Sequence, residues 1–386
     1  MKQYILLLAF LINTISLISQ ENYFPPKGSW EVKAPSVFGI NNEIINEAIK
    51  YAENNQNDGD FDLRVEILKG FSSEPYHEIL GPTKKRGASN GLIIKNGYII
   101  ASWGDIDRVD MTFSVTKSYL SAITGIAIKK GLISSEKDKV SNYIWDKTFD
   151  GNKNKKITWE HLLNQSSNWA GNLWGINDWE DRPNQRLNID SWRTQEQKEP
   201  GSYYKYNDVR VNVLAYSLLH VFRESLPKVL QQNIMNQIGA SDSWRWYGYE
   251  NSWIVLDGQN IQSVSGGGHW GGGMFISALD HARFGYLFLR NGEWDKNKII
   301  SKEWINMASS PSKINKSYGF MNWFLNSNEE GTEKKISSAP ANAVYFSGLG
   351  SNIIYVDWQN DLVVVVRWID SDYLSGFIDL IVKSLK

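Results

Sequence analysis

The stretch Met111-Thr-Phe-Ser-Val-Thr-Lys117 places Ser114 three residues before Lys117 and runs directly into an apolar helix pattern that continues to residue 130. Residues at positions i and i+3 of a helix share one face, so the lysine amine can reach the serine hydroxyl. Free backbone N–H groups and the positive end of the dipole at a helix start favour developing negative charge. The stretch therefore predicts a nucleophilic Ser114, with a partly desolvated lysine of lowered pKa as its base.

The S-x-x-K spacing is weak evidence when it is taken alone. It occurs four more times, beginning at Ser134, Ser202, Ser225 and Ser310, and its ordinary meaning is a helix cap followed by a solvated lysine. Ser114 differs from the other four because it opens an apolar helix. Other segments of the chain are needed to decide whether Ser114 is a nucleophile or only a helix cap.

Composition excludes several classes of protein. The chain has 386 residues, a formal charge of −1 and no cysteine. The balanced charge makes nucleic acid a poor partner, and the lack of cysteine excludes disulfides, thiolate metal sites and cysteine nucleophiles. Five histidines without an H-E-x-x-H pair make a histidine-rich metal site unexpected. We therefore expect no metal and no organic cofactor.

The first 19 residues have the pattern of a signal peptide, with Lys2 before a short apolar run that ends near Ser19. The run is shorter than the roughly 20 apolar residues that a membrane-spanning helix needs. The alternative is an uncleaved anchor. The pattern predicts a secreted or periplasmic protein without stable membrane insertion after cleavage.

Strand patterns lie early and late in the chain. Residues 91–103 form apolar runs around Asn96-Gly97, a strong hairpin signal, and two further strands are expected at 352–356 and 362–368. Helices are expected at 41–55 and at the C-terminus, and the middle, about 132–270, shows short helical patterns without a convincing strand hairpin. We predict an α+β fold: an antiparallel sheet flanked by N- and C-terminal helices, with a mostly helical insertion. Residues 20–86 form an N-terminal lead and helix before the domain at 87–386.

Six segments, in order, resemble the serine β-lactamase and penicillin-binding-protein superfamily, especially its class C-like esterase branch, which includes 6-aminohexanoate-dimer hydrolases. They are the hairpin at 91–104, the nucleophile helix at 114–131, Ile157-Thr-Trp-Glu-His-Leu-Leu-Asn-Gln-Ser-Ser167, Pro200-Gly-Ser-Tyr-Tyr-Lys-Tyr-Asn-Asp208, the glycine-rich 266–273 with Asp280-His-Ala-Arg-Phe-Gly285, and Phe346-Ser-Gly-Leu-Gly-Ser-Asn-Ile-Ile-Tyr-Val-Asp357. The resemblance covers roughly 87–386 and implies a β-lactamase/transpeptidase-like fold.

The resemblance also implies roles for individual residues. Ser114 corresponds to the nucleophile, Lys117 to its base and Tyr206 to the tyrosine that shuttles the proton to the leaving group. Which of Lys117 and Tyr206 is the first base stays open. The backbone N–H groups of Ser114 and Leu349 correspond to the oxyanion hole.

Two positions depart from the family pattern. Phe346 stands where a lysine or histidine normally precedes Ser347 and Gly348, and it cannot pair with a substrate carboxylate. Asp208 replaces the asparagine of the Y-x-N motif, and an ionised aspartate accepts hydrogen bonds but donates none. These four residues are expected to contact the substrate, and the changes favour a neutral ester or amide over a β-lactam.

Glycines and tryptophans suggest further contacts. The glycine-rich stretch at 265–274 contains His269 and Trp270, which are expected to line the cleft, although a hydrogen-bonded structural histidine is the simpler interpretation. It lacks the Lys-[ST] of a phosphate loop. Of the 17 tryptophans, Trp174 and Trp179 are the expected exposed pair, and tryptophans here serve either as sugar platforms or as core filling.

The sequence thus predicts a secreted serine hydrolase that works through an acyl-enzyme on a small neutral ester or amide, with carboxylesterase activity first. Two alternatives stay open. One is a catalytically silent protein that binds a glycan or cell-wall fragment on the same fold. The other is a weak β-lactamase or D,D-peptidase. The oligomeric state stays open as well.

Overall fold

The computed structural model describes residues 22–184, 186–324, 327–334 and 336–386. The expected signal peptide at 1–19 lies outside the described residues. Within the described part, no helix is both long and apolar enough to cross a membrane.

Groups of helices and groups of strands follow one another along the chain. The α-helices are α1 (Asn42–Asn54), α2 (Leu63–Phe71), α3 (Thr116–Lys129), α4 (Trp159–Leu163), α5 (Ile189–Arg193), α6 (Asp208–Phe222), α7 (Leu226–Leu230), α8 (Ala278–Leu289), α9 (Lys302–Ala308) and α10 (Leu374–Ser384). The strands are β1 (Asn90–Lys95), β2 (Tyr98–Trp103), β3 (Asp110–Met111), β4 (Asn172–Leu173), β5 (Ile176–Asn177), β6 (Arg245–Leu256), β7 (Gln259–Val264), β8 (Gly273–Ile276), β9 (Glu293–Trp294), β10 (Asn297–Lys298), β11 (Trp323–Phe324), β12 (Val344–Gly348), β13 (Asn352–Asp357) and β14 (Leu362–Arg367).

Both ends of the chain build the main sheet. Its six antiparallel strands follow the order β11-β12-β13-β14-β1-β2, and β1 pairs with β14 so that Leu92 lies opposite Val365. Helices α1 and α10 pack on one face, where Ala48 and Phe377 join the same apolar cluster as Val364. Helix α8 covers the other face, and Gly285 lets it approach β14 closely. The predicted α+β architecture, with a sheet made from both chain ends, is confirmed.

The expectation of an insertion without a strand hairpin is wrong. Strands β6 and β7 pair antiparallel across Asp257-Gly258 and join β8 and β3 in a four-stranded sheet. A register shift between Gly248 and Trp253 interrupts the alternation of apolar and polar residues that would reveal β6. The Asp-Gly pair, with φ of 52° and 75°, is the local signal from which this hairpin could have been predicted.

The N-terminal lead contains a second helix that the sequence pattern did not reveal. Helix α2 begins after Asp62, whose side chain accepts a hydrogen bond from the backbone N–H of Arg64. The apolar side chains of Leu63 and Ile67 are buried against Met111 and Trp368. The end of α2 therefore lies beside the turn that carries Ser114.

Candidate active site

Ser114 lies in a 3-10 turn, Phe113–Val115, between β3 and α3. The backbone enters this turn through Phe113, whose φ of 50° is in the left-handed region that bulky residues avoid. The pairing of β3 with β8 extends up to this turn, because the Thr112 N–H donates to the Met274 carbonyl at 2.9 Å. This hydrogen bond holds the backbone immediately before Phe113. Strained backbone of this kind is concentrated at functional sites.

Lys117 lies one turn further along and is almost completely buried. Its ammonium donates to Ser114 Oγ at 2.8 Å and to Asp208 Oδ1 at 2.5 Å. Asp208, the first residue of α6, also accepts from the Arg182 guanidinium at 2.6 Å. Gly267 faces this pair, and a Cβ there would lie closer than 3.0 Å to both the Lys117 ammonium and the Asp208 carboxylate. Only glycine fits beside the ion pair.

Electrostatics keep this pair charged. Burial by itself would lower the pKa of Lys117, but the Asp208 carboxylate outweighs burial and the pKa is raised. Burial would raise the pKa of Asp208, but Lys117 and Arg182 outweigh it, and the pKa lies well below its usual range. The lowered lysine pKa expected from the sequence is therefore wrong, because that expectation did not include a buried counter-ion.

Tyr206 lies over the same ammonium. Its ring centroid is 4.8 Å from Lys117 Nζ and 5.2 Å from the Arg182 guanidinium carbon, and the ring stacks on Trp323 at 5.7 Å. The next residue, Asn207, caps helix α6 by accepting from the backbone N–H of Arg210. The cap positions Tyr206 immediately before the helix that carries Asp208.

Strand β12 brings the other side of the site to Ser114. A Cβ on Gly348 would lie 3.2 Å from the Ser114 backbone nitrogen and closer than 3.0 Å to the Thr112 carbonyl oxygen. Leu349 follows and is 39% exposed. The two residues expected to supply the oxyanion hole, Ser114 and Leu349, therefore border one cavity.

That cavity has a volume of about 410 Å³. Its lining is largely aromatic around Ser114 and consists of Phe71, Phe113, Ser114, Arg182, Tyr206, Gly267, His269, Trp323, Tyr345, Ser347, Gly348 and Leu349. Of the expected substrate contacts, His269, Ser347 and Gly348 belong to this lining. Asp208 lies behind it, where its oxygens are occupied by Lys117 and Arg182.

Three expected contacts lie away from the cavity lining. Phe346 is fully buried and packs on Phe288 with ring centroids 4.9 Å apart, because alternation along β12 directs Tyr345 and Ser347 to the cavity instead. Trp270 is buried and donates to the Tyr76 carbonyl at 3.0 Å. Trp174 packs edge-on against Tyr249. Their substrate roles, expected from the sequence, do not fit this geometry.

His269 belongs to a buried network of acids. Its Nε2 lies 2.7 Å from Glu74 Oε2 and 3.7 Å from Asp181 Oδ1, and its Nδ1 lies 3.6 Å from Asp208 Oδ2. Glu74, Asp181 and His269 are the group of described residues whose geometry could hold a metal ion. However, Asp181 already accepts from the Arg182 guanidinium and Glu74 from the Arg182 backbone N–H. These oxygens fit a hydrogen-bonded network better than a cation site.

Sequence reasoning missed Phe71, Arg182, Trp323 and Tyr345 of the cavity lining, and Glu74 and Asp181 beside His269. They come from the N-terminal lead, the insertion and strands β11 and β12. None lies in a segment with a spacing that indicates chemistry, so tertiary contact is what brings them to Ser114.

Comparisons with known proteins identify the family to which the chain belongs. The protein-family model described as Beta-lactamase matches residues 107–368, about two thirds of the chain. The chain belongs to the beta-lactamase family. No curated protein matches the sequence.

Solved structures show the same fold as this beta-lactamase-family protein at low sequence identity. A beta-lactamase from Mycobacterium bovis is 17% identical with a TM-score of 0.52, and the alignment covers 83% of this chain and 97% of that one. A simvastatin synthase from Aspergillus terreus is 14% identical with a TM-score of 0.54, covering 90% and 98%. EstCE1, a hydrolase with promiscuous acyltransferase activity, is 14% identical with a TM-score of 0.58, covering 89% and 98%.

Proposed function

We propose that this protein is a secreted serine hydrolase that cleaves a neutral ester or amide through an acyl-enzyme, with a carboxylic ester as the first candidate. The observation that carries the proposal is the position of the Lys117 ammonium, which hydrogen-bonds both Ser114 Oγ and Asp208. A serine held in this way on strained backbone, at the wall of a cavity, has the environment of an activated nucleophile. The family to which the chain belongs consists generally of serine hydrolases.

We give the first proton transfer to Tyr206, because the raised pKa of Lys117 favours its protonated form. In this mechanism Tyr206 acts as the phenolate beside the charged Lys117: its oxygen takes the proton of Ser114 and becomes the neutral hydroxyl, while Lys117 stabilises Oγ. Ser114 Oγ then bonds to the substrate carbonyl carbon, and the backbone N–H groups of Ser114 and Leu349 bind the oxyanion. Tyr206 returns the proton to the departing alcohol or amine as the carbonyl–heteroatom bond breaks. Water then repeats the sequence on the acyl-enzyme, releases the acid and restores Ser114.

Charge in the cavity favours a neutral substrate. Arg182 is a cation in the lining, but its guanidinium already binds Asp181 and Asp208. Phe346 stands where the family has a cation, and it is buried under the sheet. A substrate carboxylate would therefore enter without a free partner, which costs desolvation energy. The rings of Phe71, Tyr206, Trp323 and Tyr345 instead offer an apolar surface for the acyl group.

The test is labelling of the full protein with a fluorophosphonate probe, followed by turnover of matched ester and amide panels. We expect one adduct, on Ser114, which the Ser114→Ala variant loses together with at least about a thousandfold of ester turnover. Ser134→Ala, which alters another S-x-x-K match, is the control and should label normally.

Two results would contradict the proposal. A folded protein that takes up no probe would indicate a binding protein. Nitrocefin turnover comparable to ester turnover would contradict the preference for neutral substrates.

A further inference from the structure

A second cavity, of about 260 Å³, lies beside the active site. It shares no lining residue with the cavity around Ser114. Residues 203–206 separate the two, because side chains alternate along this extended segment. Tyr204 and Tyr206 pack on Tyr318, whereas Tyr203 and Lys205 line the second cavity.

The second cavity contains a lysine without a counter-ion. Among the residues that the structure describes, no side chain or carbonyl hydrogen-bonds the Lys205 ammonium, and no acid lies within ion-pair distance of it. The carboxylate of the nearby Asp178 already forms an ion pair with Arg210 at 3.1 Å and accepts a hydrogen bond from the Gly171 N–H. Burial and the charge of Arg210 both lower the pKa of Lys205. A bound anion would relieve this uncompensated charge.

The other charged residues of the cavity also favour the binding of an anion. Arg193 and Lys198 lie at the rim, are exposed, and form no ion pair within the described ranges. Glu196, the other acid of the lining, is 3.3 Å from Lys153. The cavity thus has three cations without acidic partners, whereas each of its acids is already paired.

Aromatic side chains supply the rest of the lining. Trp179, Trp192 and Tyr203 contribute ring surface, and the Trp192 indole is fixed by donating to the Asn184 carbonyl at 2.7 Å. Helix α5, which carries Trp192, is capped by Asn188. Indole faces pack on the flat surface of sugar and aryl rings alike, and the volume suits a ligand with one ring.

We propose that this cavity is an accessory site for a small carboxylate that carries one ring, with the carboxylate on Lys205 and the ring against Trp179 and Trp192. Both sugar acids and aryl acids have this chemistry. The proposal is independent of the proposed hydrolase activity, because it uses no residue of the site around Ser114.

The test is titration calorimetry on the full protein with glucuronate and benzoate, each beside its neutral counterpart, glucose or benzamide. We expect at least one acid to bind about tenfold more tightly than its counterpart. Lys205→Met should weaken that acid about tenfold, Lys205→Arg should retain it, and Trp192→Ala should weaken it as well. Ser114→Ala should leave it unchanged.

The matched control is Lys50→Met, which removes an exposed lysine on α1 and should bind as the unmodified protein does. Thermal melting shows that each variant is folded. Binding of neither acid, equal binding of acid and neutral partner, or retention in Lys205→Met would overturn the proposal. Acetate binding as tightly as the ring acids would also overturn it, since the ring would then contribute nothing.

Discussion

The ammonium of Lys117 and the carboxylate of Asp208 form an ion pair 2.5 Å apart with both side chains 1% exposed. Asp208 stands where the related motif has asparagine, and the sequence suggested that this change would alter contacts with the substrate. In the structure, Asp208 instead forms an ion pair with Lys117. A buried carboxylate in this position raises the pKa of Lys117 and favours its protonated form. Our proposal therefore gives the first proton transfer to Tyr206.

Replacing Tyr206 by phenylalanine tests that assignment. The ring packing on Trp323 and Tyr318 is kept, but the proton acceptor is lost, so kcat should fall about 100- to 10,000-fold with little change in KM. The matched control is Tyr204→Phe. The Tyr204 hydroxyl is buried and has no hydrogen-bond partner among the residues that the structure describes, so its removal should leave ester turnover nearly unchanged. Equal effects of the two variants would contradict a chemical role for Tyr206.

Asp208→Asn should change the pH dependence of ester hydrolysis. The Asp208 carboxylate raises the pKa of Lys117, so its removal leaves burial and the neighbouring Arg182 to lower that pKa. Lys117 then loses its proton at lower pH. If the charged lysine is the working form, the alkaline limb of the kcat/KM profile moves to lower pH by at least about one unit.

The control for this profile is Asp242→Asn, which removes an exposed partner of Lys27 and should leave both limbs in place. A shift of the acid limb would contradict the role that we assign to Lys117. If Asp208→Asn instead moves the acid limb to lower pH and raises activity at neutral pH, then neutral Lys117 is the base and the role assigned to Tyr206 is wrong.

Gly267→Ala should damage the site without replacing any of its catalytic side chains. The new methyl would overlap both members of the Lys117–Asp208 pair and displace the ammonium from Ser114. A displacement of about 1 Å is expected to lower kcat/KM about 100-fold. Gly70→Ala is the matched control, because a Cβ at that helical position meets nothing within 4 Å. It should keep full activity and change the free energy of unfolding by no more than about 1 kcal/mol.

Phe346→Lys restores the cation of the family motif but should not create β-lactamase activity. The side chain packs among the rings of Phe284 and Phe288 under the sheet, so a lysine there loses apolar contacts and places a charge in the core. We expect a loss of more than about 3 kcal/mol in the free energy of unfolding, measured by denaturant titration, and no nitrocefin turnover. Phe346→Leu should cost only about 1 kcal/mol. A stable lysine variant that hydrolyses nitrocefin would contradict this placement.

The two ends of the main sheet could be predicted because their signals are local. The Asn96-Gly97 turn between apolar runs indicates β1 and β2, and the continuous apolar run at 362–366 indicates a strand buried on both faces. Strand β6 could not be predicted from alternation, since a register shift interrupts its pattern. Helix α2 is short, and its burial depends on Met111 and Trp368, which lie far from it in the chain.

The sequence by itself determined the fold class, the serine and lysine one helical turn apart, and the tyrosine segment, because each depends on spacing within a short stretch. Only the tertiary structure decided which charges those groups carry and which side chains line the cavity. It paired Lys117 with Asp208, turned Phe346 into the core and brought Phe71, Glu74 and Arg182 to the site. The physical reason is that a pKa and a cavity wall depend on neighbours in space, and these neighbours lie far apart along the chain.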